Sequence, residues 1–454
     1  MGGTNRELAG PCTFENVKVV GTRLYCNGQR TIFTKGCEIQ LSEALYGGGY
    51  RHDVDSTYVV LAASGSINQY ATSGTHNVVG GSYQGSVKGS TYLEISGDIQ
   101  FKGGNHVTPG CVRGDGTSID HKNSPDVSVG GNATLIYDND NADTSPAIEG
   151  SYGCEMKGNV TLDVRAGRAN EICGQYEFAD KSIIRGDLHI IAGAEKYENT
   201  DRTLRLNGNW PITGAGYRFA ASPFEKGTYQ IDGNVVIDTY ENVWGWDKYG
   251  TIGGDIPEIY GAIKSKVGWN ITINAHGSHM ENITGAWLST VGDGTEGNGN
   301  IRIYAEDVEL KYSYYETEYD EGDIYGLDDS TASGTVTICV DGGDVGLLLI
   351  TTDETANAGS SIRITGQPKI RTGVLGTTAQ TLNKGFPTAE LSGCQADIPF
   401  IQAFTQTKLT ERSKITVDEM ELDYDLQVEK GSTLTTKDNQ IHLWGDAVLD
   451  GTWE

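Results

Sequence analysis

The chain has 454 residues and a formal net charge of −27 at pH 7, and only 37% of its residues are hydrophobic. Nucleic acids and anionic membrane surfaces are bound through basic patches, so this acidic balance disfavours both as partners. Glycine is abundant, with 62 residues, and proline is scarce, with 10, which is typical of many tight turns rather than of a disordered linker.

The first 44 residues carry two short predicted strands, at 17–20 and 31–33, on either side of an Asn27-Gly28 turn. We expect residues 1–44 to form an amino-terminal cap and first coil, because a solenoid end otherwise exposes its core and its strand edges. The opening Met1-Gly2-Gly3 is typical of an expression leader, so we expect the chain to be a piece of a longer protein.

Eight cysteines are dispersed along the chain, and none of them belongs to a Cys-x-x-Cys pair. Their spacing matches no zinc site. Two interpretations stay open: buried thiols inside the fold, or one or two disulfides near the amino terminus.

From residue 45 onward two motifs alternate. The first is a glycine turn ending in tyrosine, at 45–50 and 78–83, with weaker copies at 148–152 and 172–176. The second is a Gly-Asn pair followed by an alternating strand, best seen in Gly158-Asn159-Val160-Thr161-Leu162. Its other copies begin at glycines 131, 186, 233, 268 and 299, with Asp187 in place of asparagine in one of them.

A motif that returns every few tens of residues indicates a solenoid, a propeller or an array. Alternating Val, Ile and Leu with polar residues places one face of each strand in a core. We expect the glycines to allow positive φ at the corners, and the asparagines to adopt turn conformations and to stack as an amide ladder. The predicted fold is therefore all-β, a right-handed parallel β-helix of about a dozen three-strand coils.

Spacing also predicts the organisation of this β-helix. Residues 45–394 form its body, with insertions near 195–225, 239–266 and 308–330, where the period lengthens or is lost. Residues 395–454 carry short, closely spaced strands that predict compact final coils. Within these last coils, only Phe400 to Lys414 allows a helix as an alternative.

The segment Tyr46-Gly47-Gly48-Gly49-Tyr50, together with Gly233-Asn234-Val235-Val236-Ile237, resembles repeats in large cell-surface proteins of gut Firmicutes. These repeats are regarded as adhesin-like parallel β-helices, and the resemblance covers roughly residues 45–310. It implies display outside a Gram-positive cell, attached through regions beyond this chain. It also implies binding to a host protein or glycan; some such proteins are thought to bind immunoglobulin.

Two aromatic groups are the candidate ligand-binding residues. Tyrosine supplies large contact area with few torsions to fix, and tryptophan stacks on sugars or on proteins. One group lies in the second insertion and one in the third, where tyrosines and acids interleave. The candidates are Trp244, Trp246, Tyr249, Tyr312, Tyr314, Tyr315 and Tyr319. Local packing, or a solvated insertion, is the competing explanation.

Acids in the third insertion make calcium the one cofactor that we consider, since Ca²⁺ prefers clustered carboxylates. The candidate ligands are Asp320, Asp323, Asp328 and Asp329. A His276–His279 metal pair is a weaker alternative.

The competing function is a carbohydrate-active enzyme, either a polysaccharide lyase or a glycoside hydrolase. A lyase needs carboxylates with a base such as Lys311, and a hydrolase needs two carboxylates across the scissile bond. In polygalacturonase-like enzymes a glycine-histidine motif follows a pair of aspartates. Here the segment His276-Gly277-Ser278-His279 precedes Asp328-Asp329, and Arg412-Ser413-Lys414 lies far downstream. We therefore expect a monomeric, non-catalytic binding protein, with a structural stalk as the second alternative.

Overall fold

The computed structural model describes residues 5–68, 76–102, 106–113, 126–141, 143–176, 182–195, 202–207, 211–216, 229–241, 243–246, 258–314, 317–319, 322–353, 357, 359–378, 387–422, 425–437 and 441–454. These residues form strands and turns without a helix. Contacts divide the chain into two compact units, Met1–Val235 and Val236–Glu454. Each unit is a parallel β-helix, as predicted.

The first unit contains three sheets, named A, B and C. Sheet A comprises β1 (Arg6–Glu7), β3 (Lys18–Tyr25), β5 (Glu38–Tyr46), β7 (Ser64–Ile67), β8 (His76–Val79), β10 (Asp98–Phe101), β11 (His106–Thr108), β14 (Ala147–Tyr152), β17 (Glu171–Tyr176) and β21 (Ile212–Ala215). Sheet B comprises β2 (Cys12–Phe14), β4 (Arg30–Phe33), β6 (Thr57–Leu61), β9 (Thr91–Ile95), β13 (Ala133–Asp138), β16 (Val160–Ala169), β19 (Leu188–Ala192) and β20 (Leu204–Asn207). Sheet C comprises β12 (Ser128–Val129), β15 (Glu155–Met156), β18 (Ile183–Ile184) and β22 (Tyr229–Ile231).

The second unit repeats this arrangement, and its sheets take the same names. Sheet A comprises β25 (Ile259–Ile263), β28 (His279–Met280), β29 (Ile283–Trp287), β32 (Glu309–Leu310), β35 (Ile324–Asp328), β38 (Asp344–Thr351), β40 (Lys369–Thr377), β42 (Gln395–Gln402), β44 (Lys414–Leu422), β46 (Thr433–Thr436), β47 (Ile441–Leu443) and β49 (Thr452–Trp453). Sheet B comprises β23 (Val235–Thr239), β24 (Val243–Trp246), β27 (Ile271–His276), β31 (Ile301–Glu306), β37 (Val336–Asp341), β39 (Ser361–Thr365), β41 (Thr388–Ser392), β43 (Gln406–Thr410), β45 (Asp425–Val428) and β48 (Ala447–Leu449). Sheet C comprises β26 (Ser265–Val267), β30 (Thr290–Val291) and β36 (Thr331–Ala332), and a separate pair comprises β33 (Tyr312–Tyr314) and β34 (Thr317–Tyr319).

Three-strand coils are confirmed only where sheet C is present. Before β12 in the first unit, single bridges such as Val54 to Val87 stand in for its strands. After β36 in the second unit, the described strands of each coil belong to sheets A and B alone. The segment Phe400 to Lys414 contributes to β42, β43 and β44, so the helical alternative is wrong.

The core is built from columns of equivalent residues in successive coils. In sheet B of the first unit, one column pairs in register through β6, β9, β13, β16 and β19, and every member has 0% exposure: Val59, Leu93, Leu135, Leu162 and Ile190. Polar or half-buried residues alternate with them, so the predicted period of two is confirmed. Aligned burial of this kind is the main stabilising term of a solenoid.

Most copies of the Gly-Asn motif have a different physical basis from the predicted one. Gly299 does adopt positive φ, at 81°, but Gly158, Gly186 and Gly233 do not, and neither do the residues that follow them. A Cβ at Gly158 would lie 2.5 Å from the Gly131 carbonyl oxygen of the preceding coil. Close backbone approach, rather than conformational freedom, therefore requires these glycines.

Asparagine side chains do form a ladder, and most of its bonds run from side chain to backbone. Two bonds join side chains directly, from Asn234 Nδ2 to Asp187 Oδ1 at 2.9 Å and from Asn300 Nδ2 to Asn270 Oδ1 at 3.1 Å. The Asn159 amide donates to Asn132 Oδ1 at 3.0 Å, and the Asp187 amide donates to Asn159 Oδ1 at 3.0 Å. Asn234 continues the series by donating its amide to Asp187 Oδ1 at 2.7 Å. Each side-chain oxygen thus accepts the first strand amide of the next coil, which fixes the register between coils.

The same ladder is present in the second unit. Asn300 donates its backbone amide to Asn270 Oδ1 at 2.9 Å, and Thr335 donates its amide to Asn300 Oδ1 at 3.0 Å. An aspartate or asparagine serves equally as acceptor, which explains why Asp187 occurs within an asparagine motif.

The repeated Gly-x-Tyr turn packs tyrosines against one another in the first unit. The Tyr25 and Tyr46 rings stack with centroids 5.0 Å apart, and Tyr50 and Tyr83 stack at 5.5 Å. The Arg23 guanidinium lies 5.5 Å from the centroid of Tyr83. These tyrosines are therefore part of the fold, and the described residues do not present them as a surface patch.

All eight cysteines are free thiols, which favours the first of the two interpretations. Burial raises the pKa of Cys173 and of Cys394, the latter to about 12. Such thiols are protonated at neutral pH and are poor nucleophiles.

Candidate functional site

The third insertion forms a small hairpin outside the parallel ladders. β33 and β34 pair antiparallel, with Tyr312 opposite Tyr319 and Tyr314 opposite Thr317. The pair belongs to none of sheets A, B or C. Three of the predicted binding residues, Tyr312, Tyr314 and Tyr319, thus occupy register positions of one hairpin, whereas Tyr315 lies outside the described residues.

The tryptophan group is divided between structural elements. Trp244 and Trp246 lie in β24 of sheet B, and Tyr249 lies outside the described residues. Trp287 is in sheet A, where its ring is 5.9 Å from Tyr260 and 5.6 Å from Lys264 Nζ. Trp287 therefore packs locally on its own sheet.

Asp323 is held by the fold. Its Oδ1 accepts the Leu347 amide at 2.7 Å, and its Oδ2 accepts the Tyr325 hydroxyl at 2.7 Å. Leu347 belongs to the next coil, so Asp323 is another acceptor that bridges two coils. Asp320 lies outside the described residues. Within the described residues, no group of three His, Cys, Asp or Glu side chains is placed to hold a metal ion.

Asp328 and Asp329 follow one another at the end of β35. Thr352 Oγ1 donates to Asp328 Oδ1 at 3.2 Å and accepts the Asp329 amide at 3.0 Å. Burial raises the pKa of the Asp328 carboxyl, and the charges of Asp329 and Asp353 raise it further, against an opposing hydrogen bond from Thr352. A charged Asp328 is therefore disfavoured in the native protein.

Replacing Asp328 with asparagine should stabilise the protein slightly at pH 7. The pKa of the Asp328 carboxyl is higher in the native protein than in the unfolded chain. The ionised carboxylate therefore lowers the stability fully above the native pKa, and this loss is absent below the unfolded pKa. We expect a gain of less than about 1 kcal/mol, because solvent screens a half-buried charge, and the gain should vanish as the pH falls to about 4. Thermal melting of both proteins from pH 7 to pH 3.5 measures it.

The same variant tests the calcium prediction. If Asp328 is a calcium ligand, millimolar Ca²⁺ will raise the melting temperature of the original protein and the variant will lose that rise. Asp353→Asn is the matched control, since it removes a neighbouring charge but leaves Asp328 in place.

Each of the candidate histidines pairs with a carboxylate of the next coil. His276 Nδ1 lies 2.8 Å from Glu306 Oε2, and His279 Nδ1 lies 3.0 Å from Glu309 Oε2. They belong to different sheets, His276 to β27 and His279 to β28. The structure therefore assigns each histidine a bridging role between coils and does not bring the two together as a metal pair.

Lys311, the candidate lyase base, pairs with Glu309. The hydrogen bond from Lys311 and the positive charge of its ammonium group hold the pKa of the Glu309 carboxyl below its usual range. Asn139 is buried in the first unit, where its side-chain oxygen accepts the Ile99 amide and its side-chain nitrogen donates to the Ile99 carbonyl. Asn139 therefore joins two neighbouring coils, and Lys311 is engaged by an acid of its own coil.

One buried polar cluster was missed from the sequence. In the first unit, His106 Nδ1 hydrogen-bonds Glu149 Oε1, and the Glu149 side chain has 0% exposure. The His106 ring also contacts Tyr152 and Tyr176, at centroid distances of 5.8 and 5.0 Å. Glu149 stands inside a repeat of otherwise small and apolar residues, and this is the signal in the sequence that marks it.

No helix among the described residues has the length and apolar character needed to cross a bilayer. The chain matches no family model, no curated protein and no solved structure.

Proposed function

We propose that the chain is a non-catalytic, adhesin-type part of a bacterial surface protein that binds a host ligand through segments leaving its coils. The ligand classes are a mucosal glycoprotein, an immunoglobulin or a glycan. The resemblance to surface repeats of gut Firmicutes supports the extracellular location and the host partner.

The observation that carries this proposal is the β33–β34 hairpin. It leaves the parallel ladders at the point where the repeat is interrupted, and three tyrosines occupy its register positions. Tyrosine is favoured at binding surfaces because its ring buries much area while few torsions are fixed. A hairpin on a rigid scaffold also loses little entropy on binding.

The scaffold supports binding in a second way. Coils of the second unit are joined by the Asn270–Asn300–Thr335 ladder and by ion pairs such as His276–Glu306. The two histidines that an enzyme could use as acid or base, His276 and His279, are here paired with carboxylates of the next coil. A structural stalk shares these features, but it has no need of a tyrosine-bearing hairpin.

Replacing Tyr312, Tyr314 and Tyr319 together with alanine should weaken binding to the host ligand by at least about tenfold, because aromatic anchors carry most of an interface's energy. The measurement is surface plasmon resonance against purified mucin and purified immunoglobulin. Tyr58→Ala is the control, since Tyr58 stacks on Tyr92 at 4.7 Å within sheet B of the first unit. Equal affinities for the triple variant and the control would leave the stalk as the better account.

A further inference from the structure

A polar groove of about 610 Å³ crosses four successive coils of the second unit. It lies on the outer face of sheet A, where β40, β42, β44 and β46 begin. Two rows of side chains cross it in register. One row pairs Gln395 with Lys414 and Thr433, and the other pairs Asp397 with Thr416 and Thr435.

The same face of sheet A is fully engaged a few coils earlier. Glu309 there pairs with His279 and Lys311. Asp344 pairs with Lys369, at 3.1 Å, and with Arg371. These contacts leave the charged groups upstream of the groove committed to neighbouring coils.

Three polar groups of the groove, unlike Lys369 at its edge, are not paired in this way. Within the described residues, the side chains of Gln395, Asp397 and Lys414 make no hydrogen bond and no ion pair. The pKa of Lys437 is raised chiefly by its hydrogen bond to Asp418, and the charge of Asp397 adds less. All three are exposed. Their hydrogen-bonding capacity is available to a ligand.

Their positions are nevertheless fixed by the coil beneath. The residues that alternate with them point into the core and are buried, Ala396 at 7%, Ile415 at 1% and Leu434 at 0%. Continuous parallel pairing spaces the successive members of each row about 4.8 Å apart. The groove is therefore a regular array on a backbone that binding does not need to order.

We propose that this groove binds a neutral oligosaccharide lying across the strands. Sugar hydroxyls both donate and accept hydrogen bonds, and the groove supplies both kinds of partner: amides, threonine hydroxyls, the carboxylates of Asp397 and Glu454, and the ammonium group of Lys414. A phosphate would require several cations, and Asp397 beside Lys414 opposes an anion. An apolar peptide would require an aromatic or aliphatic lining, and the groove has little of either.

The groove extends the proposed function without depending on the hairpin. It lies on the face of the coils, whereas the hairpin leaves them. Its ligand is a neutral saccharide, whatever the hairpin binds.

Titration calorimetry with cellohexaose, mannohexaose, xylohexaose and galactohexaose tests the proposal. We expect at least one of them to bind with a Kd below about 1 mM. The double variant Asp397→Ala/Lys414→Ala should raise that Kd by at least about tenfold, since each residue supplies a charged hydrogen-bonding group. Arg302→Ala, an exposed charge on sheet B of the same unit, is the control and should leave it unchanged.

Three results would overturn the proposal: no hexasaccharide binds the original protein; the double variant binds as tightly as the control; or pyrophosphate binds through Lys414 and no saccharide does. Circular dichroism of each variant establishes that it is folded. The triple tyrosine variant of the hairpin should keep its saccharide affinity. If the triple tyrosine variant loses only mucin and immunoglobulin binding, the result supports the hairpin. If the double variant Asp397→Ala/Lys414→Ala loses only saccharide binding, the result supports the groove.

Discussion

Replacing Gly285 with alanine should lower the free energy of unfolding by about 3 kcal/mol or more. An added Cβ would lie 2.4 Å from the Gly326 carbonyl oxygen of the next coil and 2.5 Å from Ile301 Cγ2. The first of these atoms is backbone and cannot turn aside as a side chain can. Two coils must therefore separate, and the loss should appear as a lower melting temperature and a lower urea midpoint.

Gly10→Ala is the matched control for this prediction. An added Cβ at Gly10 would have no atom within 4 Å, and Gly10 does not adopt positive φ. We expect its effect to stay within about 0.5 kcal/mol, as for most surface substitutions. Similar urea midpoints for the two variants would show that the coils tolerate a methyl group at Gly285. The explanation that Gly285 is required by its close approach to the next coil would then be wrong.

Replacing His106 with alanine should destabilise the first unit by about 3 kcal/mol. His106 donates to Glu149, whose side chain has 0% exposure. The variant leaves the buried carboxylate without this partner, and removing one member of a buried pair costs more than the pair contributes. Chemical denaturation followed by circular dichroism measures the change.

Two further proteins separate this explanation from a general loss of packing. His442→Ala removes an exposed histidine of β47 and should change stability by no more than about 0.5 kcal/mol. The double variant His106→Leu/Glu149→Leu removes both polar groups and should recover much of the loss, because apolar pairs often replace buried ion pairs without cost. A double variant no more stable than His106→Ala would contradict the role of the broken His106–Glu149 bond.

Much of the fold was predictable because the core repeats locally. Alternating residues such as Val160 and Leu162 reveal an inward face, and the Gly-Asn pair before them marks where each strand begins. For Gly158, Gly186 and Gly233 the predicted cause was wrong, whereas Gly299 does adopt positive φ. Close approach between coils and positive φ both favour glycine, and only the backbone distinguishes them.

The site was less predictable because the spacing between coils varies. His106 and Glu149 are 43 residues apart, whereas Asn132 and Asn159 are 27 apart, although each pair joins neighbouring coils. Without a constant period, no count along the chain shows which residues face each other. Asp323 resembled a metal ligand for the same reason, since its acceptor role depends on Leu347 in the following coil.

The side-chain ladder has a consequence for how such a protein can change. Asp187 and Asn234 are joined by the same bond as Asn132 and Asn159, although 47 residues separate the first pair and 27 the second. Lengthening a flexible connection from 27 to 47 residues raises the entropic cost of closing it by only about 0.5 kcal/mol. The longer sequence between Asp187 and Asn234 is thus accommodated without disturbing the joint, so the register of two coils does not depend on the length of the chain between them.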